Sequence, residues 1–163
     1  MSISFKVNQA QVAAMKQRLI DARASLKNEG VAMRQVAVYL DQWVQRNFQS
    51  QGKSVGVWKP FKYGGRLTTK RKGKAQSISG HRYVNPSAKL LMDTGRLRNS
   101  FLPFVRKGIA GIGSDLPYSK PHNDGTTKLP QRRILPKNRE VEPTIRDIIQ
   151  KFVSAQLKKA GLL

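Results

Sequence analysis

The chain has 163 residues, with 31 Lys and Arg against 9 Asp and Glu, a formal net charge of +22 and no cysteine. That length suits one domain with its own core, and the missing thiols exclude disulfide scaffolds, thiolate metal sites and cysteine nucleophiles. A one-signed excess of this size repels itself in the compact state and points to an acidic counterpart: nucleic acid, anionic lipid or an acidic protein surface.

Ile3, Phe5 and Val7 alternate with polar residues and predict a short half-buried strand. No apolar run has the length of a signal-peptide core or a membrane span, so a protein made and used without export is the expectation. From about Asn8 the period turns helical, with Val12, Met15, Leu19, Ala22 and Leu26 on one face and Gly30 ending the pattern. A second helix follows, with Val36, Leu40, Trp43, Val44 and Phe48 on one stripe. Two such helices suggest a hairpin packed on a sheet.

Residues 50–86 are punctuated by Gly52, Gly56, Gly64, Gly65, Gly73, Gly80, Pro60 and Pro86, which predicts a long loop with at most a short hairpin, mobile around 66–80. Residues 42–92 hold eleven bases and no acid, so half of the net charge is local to this part of the chain. Arg66, Lys70, Arg71, Lys72, Lys74 and Arg82 are the candidate contacts to DNA or to an acidic partner. Cations so placed release counterions from phosphates, giving salt-sensitive binding that reads no sequence, and Tyr63 and Tyr83 flank them as stacking groups. A solvated loop, or docking of an acidic protein, accounts for the same run.

Residues 87–92 predict a helical turn ending near Gly95, and residues 96–105 a strand through Leu97, Phe101, Leu102, Phe104 and Val105. Lys107-Gly108 fits a tight turn and residues 109–113 a returning strand, which makes 96–114 a candidate hairpin. Residues 115–136 predict a second loop region with a surface turn at Asn123-Asp124-Gly125. Residues 143–160 predict a helix with Pro143 in its first turn, an apolar face of Ile145, Ile148, Ile149, Phe152, Val153 and Leu157, and Gly161 as its stop.

Motifs for chemistry are sparse. Asp93-Thr94-Gly95 is the triplet that carries the catalytic carboxylate of aspartic proteases, but the adjoining Arg96 favours full ionisation and disturbs proton sharing, so a turn at Gly95 is the preferred reading. Gly73-Lys74 lacks the remaining residues of a phosphate-binding loop. His81 and His122 are the two histidines in the chain, too few for a histidine-rich metal site. No catalytic residue, metal site, cofactor or small-molecule substrate is assigned.

Three blocks occur in a telling order: Phe48, Gly52 and 56–61 with Trp58 and Pro60; then 90–101 with Thr94, Gly95 and Leu97; then Gly113, Tyr118, His122, Gly125 and 130–135 with Arg132 and Arg133. Across roughly residues 1–155 this order resembles the phage virion morphogenesis family, the tail-completion and head-to-tail joining proteins of Mu-like phages. Ser119 stands where that family usually has Ala, and Ile134-Leu135 replaces the commoner Phe-Leu. The basic run at 66–74 is not part of the family's motif set.

The resemblance implies a non-enzymatic structural protein, made in the host cytoplasm and located in the virion neck or tail terminus. It would assemble as a homo-oligomeric ring with connector and tail proteins as partners, touch packaged DNA non-specifically and have no membrane contact. In such a ring Trp58 and Tyr118 would anchor loops or fill a neighbour's pocket; for Trp58, a loop residue packed on its own core is the preferred reading. The expected fold is one α+β domain over residues 1–163: a small antiparallel sheet packed against an N-terminal helical hairpin and a C-terminal helix, with long loops. The alternative is a small cytosolic nucleic-acid-binding protein of ribosomal or chromatin type that grips phosphates with the 66–74 run.

Overall fold

Helix α2 (Gly30–Gln49) carries the core because its apolar residues recur every three to four positions. Val36, Leu40, Val44 and Phe48 are buried along one side, with Trp43 half-buried beside them, as the spacing predicts. The computed structural model describes residues 9–27, 30–61, 66–68, 76–79, 82–85 and 88–163. The predicted strand at Ile3, Phe5 and Val7 lies outside them.

Helix α1 (Gln9–Leu26) has the expected bounds, but Gly30 opens α2 instead of stopping α1. Its expected apolar face is also corrected. Val12, Met15 and Leu19 are 48%, 50% and 53% exposed, and Ala22 is the buried residue of the helix. The reason is where α1 rests: it contacts the last helix of the chain, α5 (Asn138–Lys159), and Leu19, Ala22 and Leu26 share a depression there with Leu157 and Leu162. Arg18 Nη1 reaches Gly161 O in the same region, at 3.4 Å.

The expected loop over 50–86 holds more order than its glycines suggest. After a 3-10 turn (Lys53–Val55), strands β1 (Arg66–Thr68), β2 (Gln76–Ser79) and β3 (Arg82–Asn85) form an antiparallel sheet in the order β1-β3-β2. Residues 62–65, 69–75 and 80–81 lie outside the described set.

The strand expected from residue 96 begins later. Gly95 takes a left-handed conformation (φ 77°), Thr94 Oγ1 accepts the Arg96 N–H at 3.3 Å, and the chain makes a short helix α3 (Arg96–Asn99). Leu97, in that helix, and Phe101, just past its cap, are both buried in one core cluster. Strands β4 (Leu102–Arg106) and β5 (Ile109–Gly113) then form the predicted hairpin around Lys107-Gly108. Both turn residues have positive φ, as two-residue hairpins favour. Ala110 and Ile112 pack on Val36, Leu40 and Val141, and the opposite face carries Leu102 and Ile109, 67% and 65% exposed.

The second expected loop region contains a helix, α4 (Ser119–Asp124). Asn123 and Asp124 close this helix instead of forming a surface turn, and Gly125 turns the chain at φ 79°. Helix α5 starts five residues earlier than expected, which places Pro143 inside it. Its start is fixed by Glu140, whose Oε2 accepts the Lys137 N–H at 2.8 Å while both carboxylate oxygens hold the Arg133 guanidinium at 2.6 and 2.7 Å. Ile145, Ile148, Ile149, Phe152, Val153 and Leu157 are half-buried along its inner face. The fold is α+β: helical hairpin, small antiparallel sheets and C-terminal helix.

One core cluster joins these parts: Val44, Phe48, Trp58, Leu90, Leu97, Phe101 and Ile134. Phe48 meets the Trp58 ring edge-on, with centroids 5.5 Å apart, and this close fit depends on Gly52. A Cβ there would sit 2.3 Å from Trp58 Cδ1, at a φ of 84° that disfavours side chains. Gly52→Ala is therefore expected to destabilise the fold by about 2–4 kcal/mol in urea unfolding. An unchanged midpoint would contradict this account of the Trp58 seat.

The hydrogen bonds from Arg133 hold the Glu140 carboxyl down at about 2, helped by the Lys137 N–H and against the effect of its own burial. A depressed carboxyl stabilises the fold above its unfolded value near 4.5, and that contribution is lost as pH falls toward 2. Glu140→Gln should lower stability at neutral pH by about 1–2 kcal/mol and flatten the acid limb between pH 4.5 and 2. Parallel acid limbs for the two proteins would exclude this role for Glu140.

Candidate functional site

The segments that carry the sequence motifs converge on one cleft. Its floor and walls come from Phe61, Leu91, Met92 and Leu97, its polar lining from Lys89, Asp93, Thr94, Arg96, Tyr118 and His122, and its volume is about 260 Å³. Each wall is fixed from behind. Gln51, at the end of α2, accepts the Leu90 N–H at 2.6 Å and donates to Phe48 O at 2.8 Å, which pins the segment before Gly95 onto the core. Gln51 and Leu91 both hold left-handed φ values near 56°, a conformation that costs about 1–2 kcal/mol for a side-chain-bearing residue. The Gln51 amide helps maintain both.

The opposite wall is α4. His122 N–H bonds to Tyr118 O, and the two rings meet edge to face with centroids 6.3 Å apart. Asn123 Oδ1 accepts the N–H groups of Ile134 and Leu135 at 2.8 and 3.0 Å. Arg132 N–H donates to His122 O at 2.9 Å, and Arg132 Nε to Lys59 O at 3.0 Å. Trp58 Nε1 donates to Arg133 O at 2.9 Å. Gly125 is required where it stands, because a Cβ would lie 2.9 Å from the Gln131 nitrogen.

The electrostatics of the cleft are unusual. Arg132 is only 8% exposed, and burial lowers its pKa without removing its charge. Burial pushes the His122 imidazole below its ordinary 6.5, and the Arg132 charge pushes it further the same way. His122 Nδ1 is buried with no hydrogen-bond partner among the described residues. Asp93 lines the cleft beside these groups and has an interaction of its own.

The sequence-predicted residues are thus divided. Thr94, Gly95, Leu97, Tyr118 and His122 line the cleft, and Gly125, Arg132 and Arg133 brace it. Trp58 is buried in its own core at 3% exposure, the preferred of its two expected readings, and Pro60 is exposed beside it. Arg66 opens β1 opposite Asn85 and Arg82 opens β3 opposite Ser79, so both ends of the basic segment belong to one small sheet. Lys70, Arg71, Lys72 and Lys74 lie outside the described residues.

Sequence reasoning missed Asn47, Gln51, Asn123, Lys89 and Phe61. Asn47 carried a legible signal: it is a polar residue three positions after Val44 on the apolar stripe of α2. Among the described residues no group of three His, Cys, Asp or Glu comes together as a metal site, and no helix is long and apolar enough to cross a membrane. Comparison with known proteins found no matching family model, no similar curated protein and no similar solved structure.

The depressed His122 pKa carries a definite sign. The unfolded chain takes up the proton first, so stability falls as pH drops from about 6.5 toward the folded value. Titration of the His122 ring protons by NMR should give a midpoint below 6.5, and His122→Gln should remove that part of the decline. A midpoint at or above 6.5 would mean the ring is not held neutral by its surroundings.

Proposed function

We propose that this chain is a structural protein of a tailed phage, completing the tail or joining head to tail as a homo-oligomeric ring in the virion neck. One observation carries the reading. The three blocks whose order resembles the virion morphogenesis family come together here: Trp58 donates to Arg133 O, Arg132 donates to Lys59 O and His122 O, and residues 94–97 line one cleft with Tyr118 and His122. Residues far apart in sequence that build a single braced unit suit a scaffold. The work assigned to them is mechanical: they fix a rigid wedge whose surfaces meet connector and tail proteins.

The basic segment fits the same reading. Eleven bases without an acid over residues 42–92 would repeat around a ring as a belt of positive charge, facing the DNA path or an acidic neighbouring ring. The acid-free run also supports the second reading, a monomeric nucleic-acid-binding protein, and the two part on assembly. Electron microscopy of the purified chain, alone and with the phage's connector and tail proteins, should show closed rings. Changing Lys70, Arg71, Lys72 and Lys74 to Ala should leave the rings intact and lower the salt slope of any DNA binding by about 3–4. A chain that stays monomeric with those partners, yet binds duplex or RNA tightly with a steep salt slope, would overturn the neck reading in favour of the second.

A further inference from the structure

The cleft between residues 89–97 and α4 has a chemistry that the ring reading leaves unused. At about 260 Å³ it falls below the roughly 300–1,000 Å³ of small-molecule and cofactor sites, and it suits one or two side chains. Leu91, Met92, Leu97 and Phe61 make it apolar inside. Lys89 and Arg96 stand exposed among its lining residues, and Arg132 lies buried behind His122 with a carbonyl as its side-chain partner. Among the described residues no carboxylate pairs with Arg132, and the one acid lining the cleft, Asp93, is already engaged.

From this we propose that the cleft binds an acidic peptide segment of a partner protein, an aromatic or aliphatic side chain entering between Leu91 and Leu97 while the adjoining Asp or Glu meets Lys89 and Arg96. Charge complementarity selects the sign of the partner, because a chain of +22 attracts acidic surfaces before contact. The apolar interior selects a side chain over a free anion. A phosphate needs several free N–H donors in one place, whereas the Arg96 N–H is taken by Thr94 Oγ1 and the Asn99 N–H by Gly95 O. The inference needs only the cleft and does not rest on ring assembly, so either can fail without the other.

The test uses the full chain labelled with ¹⁵N and two capped probes, Ac-Gly-Phe-Glu-Gly-NH2 and its Leu counterpart. Saturable shifts confined to residues 89–97 and 118–122 are expected. They should weaken about fivefold with the Gln-for-Glu probes, and by a similar factor in the Lys89→Gln, Arg96→Gln double variant. Both substituted side chains are exposed, and an unchanged spectrum elsewhere checks that the variant folds. Inorganic phosphate and a short single-stranded DNA serve as further arms. No saturable shift with either acidic probe, an equal response to the Gln probes, or movement of the same resonances by DNA or phosphate alone would overturn the proposal.

Discussion

Residues 132–135 run through the core without belonging to a helix or a sheet, so their backbone groups need partners outside any ladder. Ile134 is fully buried, and a buried N–H or C=O left unpaired costs about 1–3 kcal/mol. Three side chains remove that cost. Asn47 Nδ2 donates to the carbonyls of Arg133 and Ile134, both at 3.0 Å; Trp58 Nε1 donates to Arg133 O; Asn123 Oδ1 accepts from Ile134 and Leu135. These come from α2, from the segment after the 3-10 turn and from α4. The segment therefore ties three separate parts of the chain together, and the Arg133–Glu140 pair adds α5 as a fourth.

This arrangement explains why the molecule tolerates side-chain-bearing residues in left-handed conformations at Gln51, Val57 and Leu91. Each lies next to a group that the core cannot release. Gln51 makes the bonds that hold Leu90, Val57 precedes the buried Trp58, and Leu91 follows Leu90 in the core cluster. The strain stays because relieving it would withdraw a large apolar side chain or leave a buried polar group unpaired, and either loss exceeds about 1–2 kcal/mol. The cleft inherits its rigidity from the same source, since two of its walls adjoin these positions.

What periodicity encodes was legible in the sequence, and what side-chain pairing encodes was not. The α2 stripe and the hairpin turn at Lys107-Gly108 follow from spacing and turn chemistry alone. The starts of α3 and α5 do not, because they depend on Thr94 accepting one N–H and on Glu140 holding Lys137 and Arg133. Spacing also overstated α1: a helical face predicts where burial is available, and α5 covers only part of it. For the site, Thr94, Gly95, Leu97, Tyr118 and His122 stood out by motif. Asn47, Gln51 and Asn123 act through backbone atoms distant in sequence, which no local pattern reveals.

The +22 charge then takes on a sharper meaning. Three of the nine acids, Glu140, Glu142 and Asp147, pair with Arg133, Arg146 and Lys151 and thereby reinforce α5 and its junction with residue 133. The acids are too few to neutralise the bases, so the field that remains must be met from outside the chain. Copies of such a chain repel one another beyond contact, and the repulsion weakens with salt over a Debye length of about 8–10 Å. Any assembly of copies must therefore draw on short-range apolar contact, for which the outer face of the β4–β5 hairpin offers Leu102, Phe104 and Ile109, or on an acidic partner that bridges them. Basic surface and exposed apolar surface thus have separate tasks in the proposed ring: the first attracts DNA or an acidic protein, and the second holds neighbours once that charge has been met.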